Sequence, residues 1–359
     1  MSDKNEEKQE LKNQTKIKTY QILIPIIIGI GVVIWIFLNE FKNADFGKLP
    51  SFNFAMIWAL FLGLVSVIGR DFFMTLRFRI VTNHDLSWKQ ALRVCLLCEF
   101  TSAITPSSVG GSAVGMIFMS NEGINIGRAT TLMLITIFLD ELFFVISCPL
   151  ILTITPLEEL FGSLNKNFTE GIRIAFWVIY SGIALWTVLL FMGIIWKPKF
   201  INRMIKVIFK LKILSKWREN ATDFAKNMIA ASEESKKMNV SWWIKSFLST
   251  ALSWISRYLL VCALFIPFVT FDNQWLIFAH QCVIWLVLMV SPTPGGSGLS
   301  EWIFTQYYSD LVVAGAITLL VALAWRILSY YLYLLIGVVI IPSWFRNFKK
   351  KKTSDSLSK

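Results

Sequence analysis

Long apolar segments separated by short basic ones leave this chain one class of folding solution. Runs such as Ile22–Leu38 and Ile172–Ile195 approach or reach the roughly 20 residues a helix needs to cross about 30 Å of hydrocarbon. Only 16% of the residues are charged and 55% are hydrophobic, whereas a soluble domain carries roughly 25% charged residues. So much apolar surface cannot be hidden from water by folding alone. An all-α polytopic membrane protein is expected.

The N-terminal stretch, residues 1–19, is polar and of mixed charge, and no small-residue cleavage site follows Leu38. The first apolar run therefore reads as a retained span rather than a secretory signal. The formal net charge of +12 could suggest nucleic acid, but the basic residues flank apolar runs, as the positive-inside rule requires. No nucleic-acid partner is expected. The five cysteines lie inside apolar segments, and Cys95 and Cys98 are one helical turn apart, a spacing read here as packing rather than redox. The two histidines, His84 and His280, are far apart. No disulfide framework, metal centre or cofactor is expected.

Charge placement orders the chain. Lysines 4 to 18 put the N-terminus in the cytoplasm; span one (20–38) leaves it, and span two (54–69) returns to a basic segment that includes Arg70, Arg77, Arg79, Lys89 and Arg93. Spans three (129–154) and four (172–195) form a second pair. Spans five (246–270) and six (311–341) form a third, ending at Arg346 and a lysine-rich tail, 346–359. Both termini come out cytoplasmic, with the transmembrane domain over 20–345. Within the basic stretch 196–245, Phe200, Ile201, Met204, Ile205, Ile208 and Leu211 recur at helical spacing. This predicts a cytoplasmic amphipathic helix, held on anionic headgroups or packed on a neighbour.

Two segments fit none of these spans. In 88–120, Thr105–Gly111 interrupts the apolar run, and Pro106 with Gly110 and Gly111 forbids a continuous helix. In 275–308, Ser291–Gly298 does the same, with Pro292 and Pro294 preceding Gly295 and Gly296. Each second limb is too short to cross the bilayer. Both read as re-entrant hairpins, one opening to the cytoplasm and one to the outside. Span, hairpin and span thus recur in inverted topology, an arrangement that in transporters puts the substrate site at the midplane between broken helices. Helices starting after the breaks would aim free N–H groups and positive dipole ends at the midplane, a site for an anion such as phosphate. Ser107, Ser108, Ser112, Thr293 and Ser297 either add donors or cap their own helices.

Charges deep in a bilayer cost about 2.5–3.5 kcal/mol each, so each needs a reason. Asp140 and Glu141 lie in span three, Arg257 in span five and Arg326 in span six; Glu99 precedes the first break and Glu301 follows the second. Asp140 and Arg326 occupy equivalent places after the two breaks. One of Asp140 and Glu141 is expected to pair with Arg326 or Arg257, beside a cavity or as a structural lock. Glu301 either lines the site or caps the helix it begins.

At these residues the chain resembles the lysylphosphatidylglycerol synthase transmembrane-region family, also called flippase-like. The resemblance spans roughly 20–341 and rests on Pro292–Glu301, Ile104–Gly115, Glu122–Thr130 and Ile137–Ile146. It implies a polytopic inner-membrane protein associated with translocating modified lipids, with Pro106, Gly110 and Gly111 matching one signature and Pro294, Gly295, Gly296 and Glu301 the other. Two departures concern substrate: Gly111 is followed by Ser-Ala-Val-Gly-Met without the family's acid and arginine, and Asp140-Glu141 lack a preceding arginine.

The expected substrate site therefore comprises Pro106, Gly110, Gly111, Ser112, Asp140, Glu141, Arg257, Pro294, Gly295, Gly296, Glu301 and Arg326. The expected function is translocation of a lipid or lipid-linked anionic substrate across the cytoplasmic membrane, with membrane lipids as partners and no catalysis. The alternatives are a non-transporting assembly partner and an intramembrane lipid-headgroup enzyme. Single-cysteine variants Ser107→Cys and Thr293→Cys test the hairpins: impermeant maleimide should reach the first from the cytoplasmic face and the second from outside. Labelling of both from one face would contradict the inverted repeat.

Overall fold

The structure, a computed structural model, describes residues 52–105, 109–162, 166–197, 199–200, 203–204, 218–308, 311–312, 315–341 and 344. Span one (20–38), the residues Pro106, Ser107 and Ser108, most of the amphipathic segment 200–211 and the tail 346–359 lie outside the described residues. Ser112 falls in a described helix, but its side chain does not belong to the described set.

The described residues form an all-α protein with five helices long and apolar enough to cross a membrane: Phe54–Val81, Ile126–Ile154, Thr169–Trp196, Val240–Phe265 and Ala316–Ile341. In chain order the helices are α1 (Phe54–Val81), α2 (Trp88–Ile104), α3 (Val109–Asn121), α4 (Ile126–Ile154), the short α5 (Leu157–Phe161) and α6 (Lys166–Phe191). They continue with α7 (Arg218–Lys236), α8 (Val240–Phe265), α9 (Gln274–Leu288), α10 (Leu299–Tyr308) and α11 (Gly315–Arg326), the last running on through a π-helical turn at Ile327–Tyr331. Short polar side chains start several of them. Asn53, Asn125 and Asn239 accept from the backbone N–H groups of Met56, Gly127 and Trp242 at 2.8–3.1 Å, and Ser87 and Gln90 cap α2 reciprocally.

Among the described residues, α1 and α8 make the most extensive helix pairing. Small side chains let them approach: Gly63 faces Leu260 and Leu264, Gly69 faces Ser256, and the Ser253 hydroxyl donates to the Arg70 carbonyl at 3.2 Å. The opposite face of α1, with Ile57, Phe61 and Ile68, is exposed, as a lipid-facing surface must be. One buried cluster centres on Phe144, Tyr258, Phe265, Phe304 and Trp325. A second, around Phe78, Leu97, Leu132 and Phe138, lies at the other end of the bundle. There Arg128 bonds both Asp85 and Glu234, joining the start of α4 to the α1–α2 turn and to α7.

Two expectations about the elements need correction. Span two does not stop at residue 69: α1 continues to Val81, carrying Arg70 and Arg77 into the protein, where they are 2% and 4% exposed. Burial against α2, α8 and α11 satisfies groups that hydropathy assigns to the cytoplasmic surface. Gly110 and Gly111 do not form the first break either, because α3 begins at Val109 and includes both. The second break is a turn with positive φ at Gly295, Gly296 and Gly298. α2 packs on α3 and α9 on α10, giving two helix–break–helix pairs.

The breaks meet near the centre. The Gly295 N–H donates to the Thr105 carbonyl at 3.3 Å, and a Cβ at Gly295 would overlap the Tyr330 ring as well as sit in a strained conformation. A Cβ at Gly111 would overlap the Ser102 hydroxyl and the Cys98 carbonyl. The backbone of α2 cannot retreat from that contact without losing helical bonds. Gly111→Ala and Gly295→Ala are each expected to cost about 1–3 kcal/mol, read as a lowered melting temperature in detergent. An unchanged melting temperature for both would contradict this close central packing.

Candidate functional site

A cavity of about 140 Å³ is lined by Ala103 and Gly111, which flank the first break, and by Gly295 and Gly296 of the second, and it draws side chains from four of the five long apolar helices, α6 excepted. α1 contributes Met74 and Arg77, α2 Glu99 and Ser102, α4 Met133, Thr136 and Asp140, and α8 Ser253, Trp254 and Arg257. α9 adds Trp285, the second break adds Gly295 and Gly296, and α11 with its π turn adds Arg326, Ser329 and Tyr330. These positions recur at three- and four-residue steps, so each helix presents one stripe to the centre.

The charged groups form a connected set. Arg77 donates from Nη1 to Asp140 Oδ1 at 2.6 Å, and Trp254 donates from Nε1 to the same oxygen at 2.9 Å. Arg257 donates from Nη2 to Glu99 Oε1 at 2.9 Å. Its guanidinium lies over both Trp254 and Trp285, 4.9 and 4.7 Å from the ring centroids. Glu99 Oε2 lies 3.5 Å from Arg70 Nη2. Arg70 is held mainly by Asp71, at 3.1 and 2.8 Å, above the ring of Tyr333, whose hydroxyl donates to Asp71 at 2.7 Å.

Arg326 holds the second break. It donates to the Gly295 carbonyl and to Ser297 Oγ, both at 3.2 Å. Its Nε lies 2.6 Å from Glu301 Oε1, an ion-pair contact without hydrogen-bond alignment. Glu301 Oε2 in turn accepts from the Gly298 N–H at 2.7 Å and from the Ser300 hydroxyl at 2.8 Å. Glu301 therefore caps α10, and this acid takes the N–H that was expected to await an anion. Ser297 bonds the Pro294 carbonyl at 2.8 Å, so the hydroxyl also serves its own turn.

The expected pairing of Asp140 or Glu141 with Arg326 or Arg257 is incorrect. Asp140, Arg257 and Arg326 do line one cavity, but their partners are Arg77, Glu99 and Glu301 respectively. Adjacent helical residues point about 100° apart, and Glu141 turns away toward Thr187 and Trp186 of α6. Contact between an acid of one half and a base of the other is made instead by Glu99 and Arg257. Gly111, Gly295 and Gly296 line the cavity; Glu301 does not line it but contacts Arg326, which does; Pro294 accepts from Ser297 within the second break; Gly110 sits in the first turn of α3; Pro106 and the Ser112 side chain are outside the described set.

Arg77 lines the cavity and Arg70, held by Asp71, stands behind Glu99, yet both arginines read in the sequence as topology markers and Asp71 carries no expectation there. Their signal was the spacing: Arg70 and Arg77 are two helical turns apart, separated largely by apolar residues, so both face one way. Four donors of the cavity wall remain buried without a hydrogen bond to the described residues: Nε of Arg77, Nε of Arg257, Nε of Arg326 and Nε1 of Trp285. Three guanidinium groups and two carboxylates line the space. The wall is suited to a small anionic group.

Known proteins place this architecture. The family described as the lysylphosphatidylglycerol synthase TM region matches residues 22–337. A UPF0104 membrane protein of Archaeoglobus fulgidus is 24% identical over 327 residues, covering 89% of this chain and 95% of that protein. No solved structure matches. With the match running from the first apolar run to the last helix, the chain belongs to the lysylphosphatidylglycerol synthase transmembrane-region family.

Proposed function

We propose that this protein translocates a lipid or lipid-linked anionic substrate across the cytoplasmic membrane, without catalysing a reaction on it. The central cavity carries the reading. It is walled by Arg77, Arg257 and Arg326 at the meeting point of the two breaks, inside a multi-pass membrane chain. Charge in such a place costs several kcal/mol unless it is paired, and intramembrane ionisable groups mark substrate pathways by default. Irregular backbone at membrane depth is tolerated where it is buried or lines a polar cavity. Two re-entrant hairpins of opposite orientation, with both termini cytoplasmic, would let the cavity open alternately to either face.

A second reading has its own support. Each guanidinium of the cluster has a carboxylate partner, which is also what a structural lock in a non-transporting assembly subunit would need. Transport separates the two. In proteoliposomes containing NBD-labelled phosphatidylglycerol, the wild-type protein should expose inner-leaflet probe to dithionite well above the protein-free rate. Asp140→Asn orphans Arg77 and should cost about 2–4 kcal/mol of stability, less than for a fully enclosed pair because Asp140 is partly open to the cavity. The double variant Arg77→Gln with Asp140→Asn should regain much of that stability, yet still fail to move the probe. Full transport by the stable double variant would remove the pair from the pathway, and a protein-free rate for wild type would favour the assembly reading.

A further inference from the structure

Among the four guanidinium groups of the central cluster, Arg257 is the one poised to exchange its partner. Arg70 and Arg77 are 2% and 5% exposed at the side chain and Arg326 is 4% exposed; Arg257 reaches 13%. Arg326 is occupied by the second break on every side described above. Arg257 has one carboxylate contact, at Nη2, while its Nε is buried without a hydrogen bond. The Trp285 indole facing it has a buried N–H in the same condition. Arg77 and Arg326 each have an unbonded Nε as well, but Arg257 stacks on Trp285, so at this point of the wall two unbonded donors belong to adjoining groups.

That acid is itself shared. Glu99 Oε1 accepts from Arg257 at 2.9 Å and its Oε2 lies 3.5 Å from Arg70. A modest rotation of the carboxylate would trade one guanidinium for the other. We propose that Glu99 is a displaceable counter-ion, standing where the phosphate group of the substrate binds. In this exchange the phosphate oxygens accept from the Arg257 guanidinium and from Trp285 Nε1, and Glu99 moves onto Arg70. Arg257 keeps an anionic partner throughout, and Glu99 joins Asp71 on Arg70, so the exchange strands no cation and adds the charge of the phosphate to the cluster. Glu99 is on α2, Arg257 on α8 and Arg70 on α1. The exchange thus shifts an electrostatic tie from between the two halves to within the first half, and cavity occupancy is coupled to the packing of the hairpin. The proposal rests on reading the cavity as an anion site.

Thermal shift on the purified full-length protein tests it without transport. Glu99→Gln preserves shape but removes the competing anion, leaving Arg257 unpaired. The variant should melt below wild type when ligand-free, and dioctanoyl phosphatidic acid should stabilise it with an apparent affinity about tenfold or more above wild type, the worth of one charge-assisted hydrogen bond. Arg257→Gln together with Glu99→Gln should remove the response and recover ligand-free stability, which distinguishes lost binding from lost folding. Inorganic phosphate is the parallel probe: an equal response assigns recognition to the phosphate alone, and a response confined to the lipid adds its chains; both support the exchange. Unchanged or weaker affinity of Glu99→Gln for both probes would overturn it. If wild type moves lipid while Glu99→Gln shows no gain, the counter-ion role fails and the translocator reading stands; if Glu99→Gln binds tightly but wild type moves nothing, the reverse holds.

Discussion

A guanidinium inside a bilayer has no water to accept its hydrogen bonds, and that constraint organises this molecule. Arg70, Arg77, Arg257 and Arg326 sit on three helices that are otherwise apolar enough to span. Each is neutralised by a carboxylate: Asp71, Asp140, Glu99 and Glu301. Because the partners come from α1, α2, α4, α8, α10 and α11, satisfying the charges requires those elements to converge. Breaking one such pair leaves an uncompensated charge in a low-dielectric interior, which is costlier than losing any single apolar contact in the bundle.

The aromatic residues follow the same logic. Trp254 orients Asp140 through its N–H while its face covers Arg257, and Tyr330 and Tyr333 cover Arg326 and Arg70. A ring face attracts a cation and excludes lipid chains, so it extends the polar centre without adding a further charge. The glycines at the centre serve distance. Gly111 lets α3 lie against the α2 backbone, and Gly295 lets the second break touch Thr105 and Tyr330. With these contacts the two helix–break–helix pairs share one polar core rather than forming two.

Stability and exchange are in tension at Glu99. A carboxylate shared between Arg257 and Arg70 stabilises the resting arrangement less rigidly than the closed pairs at Asp140 and Glu301, where neighbouring N–H and O–H donors fix the acid in place. Such a loosely divided partner is the natural place for a conformational change to begin, because the alternative arrangement already has its cation nearby.

Much was legible in the residue order alone. The apolar runs required membrane insertion, and the segments around Pro106 and around Pro292–Gly296 pointed to interruption, since the short limb after each cannot cross the bilayer; a proline alone does not decide it, for α4 runs through Pro149. Of the mid-span charges, Asp140, Arg257 and Arg326 lie on the central cavity. Pairing was not legible, because it depends on which face of each helix turns inward and on how far a helix outlasts its apolar stretch. Hydropathy ends span two at Gly69, whereas burial against α2, α8 and α11 carries α1 on to Val81 and converts Arg70 and Arg77 from surface markers into site residues. Likewise Asp140 and Glu141 are equivalent as neighbours in sequence. Only the rotation of α4, set by its packing between α3, α6 and α8, directs one to the cavity and the other to α6. Composition and spacing decide that charges must be matched inside a membrane; three-dimensional packing decides which charge meets which, since a buried ion pair forms only where helix rotation brings both groups within hydrogen-bonding reach.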